Sequence, residues 1–141
     1  MSLLLLDTNI LIHGARRSDV WAQIVSLCDP MLALPIPLVH IVSHGESLSF
    51  AEQRSWGEER RKQLTYLLGY FEMITIDPLD LDSYALLDSY SRRKGFRMGK
   101  NDLWIAAAAH TSGATIVTTD RDFDHLDGKF LQRLWIDPTT P

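Results

Sequence analysis

The sequence predicts a three-layer α/β/α sandwich around a central, mostly parallel sheet. Short runs that are apolar at every position alternate with longer helix-like stretches. Strands without polar alternation must be covered on both faces, and strands separated by helices pair in parallel. Right-handed crossovers then place helices on both sides of the sheet. At 141 residues there is chain enough for one core, so residues 1–141 read as a single domain.

The strands come in order. Residues 3–6 are consecutive leucines. A second run, 31–34, stops at Pro35-Ile36-Pro37, and a third, 73–76, stops at Asp77-Pro78. Residues 115–118 follow Ser112-Gly113, and 134–136 form a last, shorter strand before Asp137-Pro138. Between these strands lie the helices. Leu64, Leu67, Leu68 and Phe71 recur at i, i+3, i+4 and i+7, one helix face behind the charged run 58–62. Another helix opens near Leu81 and Tyr84 and closes in Arg92-Arg93-Lys94-Gly95, since basic residues and glycine suit a helix C-terminus. Asn101 can cap a helix through Leu103, Trp104 and four alanines, ended by Gly113. Trp104 and those alanines suit close packing on a sheet.

Composition removes several classes. Hydrophobic residues at 45% and charged residues at 23% exclude disorder, collagen and coiled coil. No apolar run approaches the ~20 residues of a membrane span. The opening leucines have no basic segment before them and run into Asp7, unlike a signal peptide. Cys28 stands alone, which excludes an internal disulfide and fits a reducing cytoplasm. Fourteen Lys and Arg against 18 Asp and Glu give a net charge of −4. That balance argues against non-specific duplex DNA binding. It leaves room for a carboxylate site that attracts phosphate through bound cations.

Ligands of a parallel sheet bind beyond the carboxyl ends of its strands. Asp7 directly follows residues 3–6, and Asp120 follows 115–118, so both lie on one sheet edge. Asp102 falls in the first turn of the alanine-rich helix, and Glu46 lies in the stretch after Pro37. Each acid alone has an ordinary reading as a helix cap, a dipole partner or a turn residue. Together they are harder to accommodate, because two carboxylates 4 Å apart repel by about 4 kcal/mol at an effective dielectric near 20. Such a cluster takes up protons or a cation, and Mg²⁺ or Mn²⁺ suits oxygen ligands.

Three stretches also carry a resemblance. Leu5-Leu6-Asp7-Thr8-Asn9-Ile10-Leu11-Ile12 resembles the opening motif of PIN-domain ribonucleases. Residues 100–108, with Asn101-Asp102, resemble their third acidic motif, and Thr118-Thr119-Asp120-Arg121-Asp122-Phe123 their fourth. The motifs occur in order across essentially the whole chain, and the length is similar to that of VapC-type toxins. Glu46 best matches the family's second acid, although Gly45 precedes it and Ser47 follows; Glu52 is the alternative.

The resemblance implies a PIN-like fold and a metal-dependent endoribonuclease acting on single-stranded or looped RNA. Asp7, Glu46, Asp102 and Asp120 would hold Mg²⁺ or Mn²⁺, with Thr8, Asn9, Thr118 and Asp122 orienting acids or water. Arg93, Arg97 and Lys100, within a basic stretch before Asp102, would bind substrate; Arg16 and Arg17 form a second basic pair. A cognate antitoxin and a homodimer are the implied protein partners. The face of Leu64, Leu67 and Leu68 is either core or a dimer surface, and core is the simpler reading. The alternative function is an inactive PIN-like module that binds RNA or protein. A haloacid-dehalogenase-type phosphatase needs a second Asp two positions after Asp7, where Asn9 stands, and a receiver domain needs paired acids there. His40 and His44 lack a third zinc ligand at suitable local spacing and read as structural.

Overall fold

The computed structural model describes residues 2–139. β1 (Leu4–Leu6) leads into α1 (Thr8–Arg16) and α2 (Asp19–Cys28). β2 (Leu38–His40) is followed by α3 (Ile41–Gln53) and α4 (Glu58–Tyr70), then β3 (Glu72–Ile74). α5 (Asp80–Arg93) and α6 (Lys100–Ser112) precede β4 (Thr115–Thr118), and a short 3₁₀ turn precedes β5 (Gln132–Trp135).

The five strands lie in the order β3-β2-β1-β4-β5, and every neighbouring pair is parallel. Side chains alternate between the two faces of the sheet, as strand geometry requires. Leu4, Leu6, Val39 and Val117 pack with residues of α1 to α4. Leu5, Leu38 and Ile116 pack with Leu87 of α5 and the apolar face of α6. The chain steps outward from β1 to β3 under one helical layer. It then returns through the other layer to lay β4 against β1. That reversal makes the ends of β1 and β4 the topological switch point, where a parallel sheet opens a cleft.

Residues 31–34 are not a strand. The backbone carbonyl of Asp29 accepts from Leu32 N at 3.0 Å and Ala33 N at 3.1 Å, and its carboxylate accepts from Met31 N, so this run curls into a turn. Pro35 and Pro37 lack the N–H a ladder needs, and pairing starts only at Leu38. The last strand is Gln132–Trp135 rather than 134–136, because its register is set by four pairings with β4. As an edge strand it tolerates Gln132 and Arg133, which hide its start in the sequence. α6 is capped by the extended Gly99, and Asn101 is already helical. Leu64, Leu67 and Leu68 are buried, so that face is core and unavailable to a dimer. It is met closely by α1, where Gly14 leaves space: a Cβ there would lie 2.7 Å from Leu67 Cδ1.

Candidate metal centre

Asp7 leaves β1 in extended conformation and becomes the N-cap of α1, its Oδ1 accepting from Thr8 N at 2.8 Å. Its Oδ2 accepts from Thr118 Oγ1 at 2.8 Å and from Asn9 Nδ2 at 3.2 Å. The same Asn9 amide donates to Asp120 Oδ2 at 3.1 Å, while Asn9 Oδ1 accepts from Thr119 N. Asp120 Oδ1 accepts from Asp122 N, closing the turn after β4. Thr8 donates to Glu46 Oε1 at 2.7 Å and lies 2.9 Å from Ser43 Oγ. Ser43 and Glu46 share a face of α3 at i, i+3, and α3 starts directly from β2, with His40 Nδ1 accepting from Val42 N as its cap.

Asp7, Glu46, Asp102 and Asp120 thus border one cavity of about 350 Å³, which Thr8 and Asn9 also line. Burial first, then the Asp120 carboxylate, pushes Asp7 from 3.8 up to about 7, against hydrogen bonds from Thr118 and Thr8. Burial, then Asp7 and Asp120, pushes Asp102 up to about 8. The neighbouring Asp122 carboxylate adds to the same upward push on Asp102. Asp120 is raised too, chiefly by burial. These acids crowd one another in a partly dry site, and a cation can take the place of their protons.

The donor set fits Mg²⁺ or Mn²⁺, since all four groups are hard carboxylate oxygens. Among the described residues, no three His, Cys, Asp or Glu side chains already close on one point. The arrangement is therefore an open acidic cavity with space for an ion keeping part of its water shell, as Mg²⁺ commonly does.

Of the remaining candidates, only Arg16 lines this cavity. Glu52 is ion-paired with Arg61 at 3.2 Å, while Glu46 lines the cavity. Arg93 is exposed at the end of α5 and donates to Ser89 Oγ. Arg97 lines a smaller cavity, of about 240 Å³, that shares Asp102, and Lys100 is exposed at the start of α6. Arg17 donates to Gln63, whereas Arg16 lines the acidic cavity itself. Sequence reasoning missed Ser43, whose spacing from Glu46 was visible, and Phe50, which lines the cavity from one turn farther along α3. His40 is buried, and the packing side of Trp104 is Tyr84 of α5, at 4.2 Å between ring centroids.

The family model for the PIN domain matches residues 4–129. Ribonuclease VapC4 of Mycobacterium tuberculosis (strain ATCC 25618 / H37Rv) is 38% identical over 87 residues, which is 60% of this chain and 67% of that protein. Ribonuclease VapC5 of the same organism is 38% identical over 72 residues, 49% of this chain and 53% of the relative. A chain of the crystal structure of VapBC2 from Rickettsia felis, bound to a DNA fragment from their promoter, superposes with a TM-score of 0.79. That match covers 96% of this chain and 99% of the other at 23% identity, and it speaks for the fold alone. By family model, sequence and fold together, the chain is a VapC-type member of the PIN domain family.

Proposed function

We propose that this chain is a metal-dependent endoribonuclease that hydrolyses single-stranded or looped RNA, acting as the toxin of a toxin–antitoxin pair. The observation that carries the reading is the convergence of Asp7, Glu46, Asp102 and Asp120 on one cavity, with raised proton affinity at three of them. Asp7, Glu46, Asp102 and Asp120 would hold Mg²⁺ or Mn²⁺ directly or through water. Once held there, such an ion would supply positive charge toward the phosphodiester and lower the pKa of a bound water.

The protein's own groups provide orientation. Thr118 and Asn9 fix one oxygen of Asp7, Asn9 ties Asp120 to it, and Thr8 aims Glu46. Looped or unpaired RNA is the substrate that can present its backbone to such a cavity. Arg93, Arg97 and Lys100 would hold RNA on the α5–α6 side. Relatives of this fold include a member of the VapBC family of toxin-antitoxin systems, from Mycobacterium tuberculosis, and an antitoxin is the partner proposed here. A homodimer would have to use a surface other than the buried Leu64 face.

The test is incubation of total RNA with the purified protein in Mg²⁺, Mn²⁺ or EDTA, beside Asp102→Asn. The reading requires cleavage that depends on the metal and is lost in the variant. RNA binding without cleavage in any metal would make the chain an inactive binding module.

A further inference from the structure

Three guanidinium groups stand on one flank of the acidic cavity, and none has a carboxylate partner among the described residues. Arg16 ends α1 and lines the cavity, Arg54 follows α3 as its C-cap, and Arg60 lies in the first turn of α4. Aromatic rings hold all three. Arg16 Cζ is 5.2 Å from the Phe50 centroid and 5.8 Å from that of Trp56. Arg54 Cζ lies 4.6 Å from Phe50, and Arg60 Cζ lies 5.5 Å from Trp56. The two rings meet edge to face at 5.7 Å, and Trp56 is only 7% exposed, so the frame is anchored in the core.

Arg61 shows what a structural arginine looks like in the same neighbourhood. Its Nε donates to Trp56 O at 2.7 Å, and its other nitrogens reach Ala51 O and Glu52. Among the described residues, Arg16, Arg54 and Arg60 have no such engagement. A guanidinium lying on a ring keeps its N–H edges free for an anion and has less freedom left to lose on binding. Three guanidinium groups that make no ion pair among the described residues suit an anion carrying several phosphates, each able to take charge-assisted hydrogen bonds. The position says which one. Arg16 and Phe50 themselves line the acidic cavity, and Arg54 and Trp56 pack against that same Phe50 ring, so the cluster borders the site where a phosphodiester must enter.

We propose that Arg16, Arg54 and Arg60, laid on Phe50 and Trp56, form a phosphate track that carries the RNA strand flanking the scissile bond into the acidic cavity. This rests on the ribonuclease reading above and adds a grip on the α3–α4 side that the basic residues before Asp102 do not supply.

The test is fluorescence anisotropy of a labelled oligouridylate with Mg²⁺ present, over a range of KCl, in an Asp120→Asn background that prevents cutting. Adding R16Q/R54Q weakens binding about tenfold and lowers the salt slope by about 1.4, or about 0.7 for each lost phosphate contact on a single strand. A charge-matched control, K62Q/K129Q, leaves both unchanged, and R16K/R54K recovers most of the slope. Should R16Q/R54Q melt early, exposed Arg60→Gln alone gives a slope change of about 0.7. Unchanged affinity and slope in a folded R16Q/R54Q protein overturn the track, as does an equal loss in the control. Failure of the ribonuclease reading shows separately, as RNA cleavage that is absent from the parent or persists in Asp120→Asn. An acidic peptide that binds wild type and loses affinity in R16Q/R54Q, while RNA does not, transfers the cluster to a protein partner and overturns the proposal.

Discussion

Asn9 and Asp120, 111 residues apart in the chain, are joined by a hydrogen bond of 3.1 Å from the Asn9 amide to Asp120 Oδ2. The same amide reaches Asp7 Oδ2 at 3.2 Å, so one neutral donor spaces two carboxylates that would otherwise repel. Asn9→Ala removes this spacer without adding charge. The expected outcome is a loss of about 10–100-fold in Mg²⁺ or Mn²⁺ affinity and in RNA cleavage, with the fold retained. Activity against metal concentration, together with a thermal melt, checks it.

The raised acids fix the sign of a pH effect. A carboxyl whose native pKa exceeds its unfolded value binds more protons in the native state, so folding stability falls as pH rises through that interval. With Asp7 at about 7 and Asp102 at about 8 against an ordinary 3.8, the metal-free protein loses stability from about pH 4 to about pH 8. Mg²⁺ offsets the loss at the alkaline end. Asp102→Asn raises the metal-free Tm at pH 8 by about 2–5 °C and has little effect at pH 4. Differential scanning fluorimetry in EDTA across this range reads both.

Two glycines on helices make opposite predictions. Gly45 has nothing within 4 Å of where a Cβ would lie, so Gly45→Ala stabilises by about 0.5–1 kcal/mol through helix propensity. Gly14→Ala places a Cβ 2.7 Å from Leu67 Cδ1 and 3.2 Å from two Trp21 ring carbons. Overpacking there costs about 1–3 kcal/mol and outweighs the propensity gain. Urea denaturation of both variants separates the two cases.

Glu46 depends on Thr8, whose hydroxyl donates to Oε1 at 2.7 Å. Thr8→Val keeps the shape and removes the donor, leaving Glu46 free to turn away. Cleavage falls by about 10–100-fold, and Thr8→Ser recovers most of it. Steady-state cleavage of a labelled RNA by the three proteins is the check.

The parts of the fold that were legible in the sequence are those buried on both faces. Consecutive leucines followed by Asp7 announce β1 and its exit, and Thr115–Thr118 followed by Asp120 announce β4. β2 was hidden, because Leu38–His40 is three residues long and sits behind two prolines while the exposed Leu32 and Leu34 imitate a strand. With β2 misplaced, nothing local could show that α3 starts at once and turns Ser43 and Glu46 toward Thr8. Asp102 was readable as an acid in a first helical turn, but its meeting with Asp7 depends on the return of α5 and α6 across the sheet. The ring-held arginines were invisible for a similar reason. Arg16 at the end of α1 and the stretch holding Phe50, Arg54 and Trp56 are more than 30 residues apart in the chain, and no local pattern joins them.

The central claim is that the four acids act as one cation site, and calorimetric titration of Mn²⁺ at pH 7 in two buffers of different ionisation enthalpy measures it most directly. The account predicts binding with proton release, because Asp7 and Asp102 exchange shared protons for the ion, and a large loss of both affinity and proton release in Asp102→Asn. Absence of Mn²⁺ binding by the wild-type protein, or binding that Asp102→Asn leaves unchanged, would contradict it.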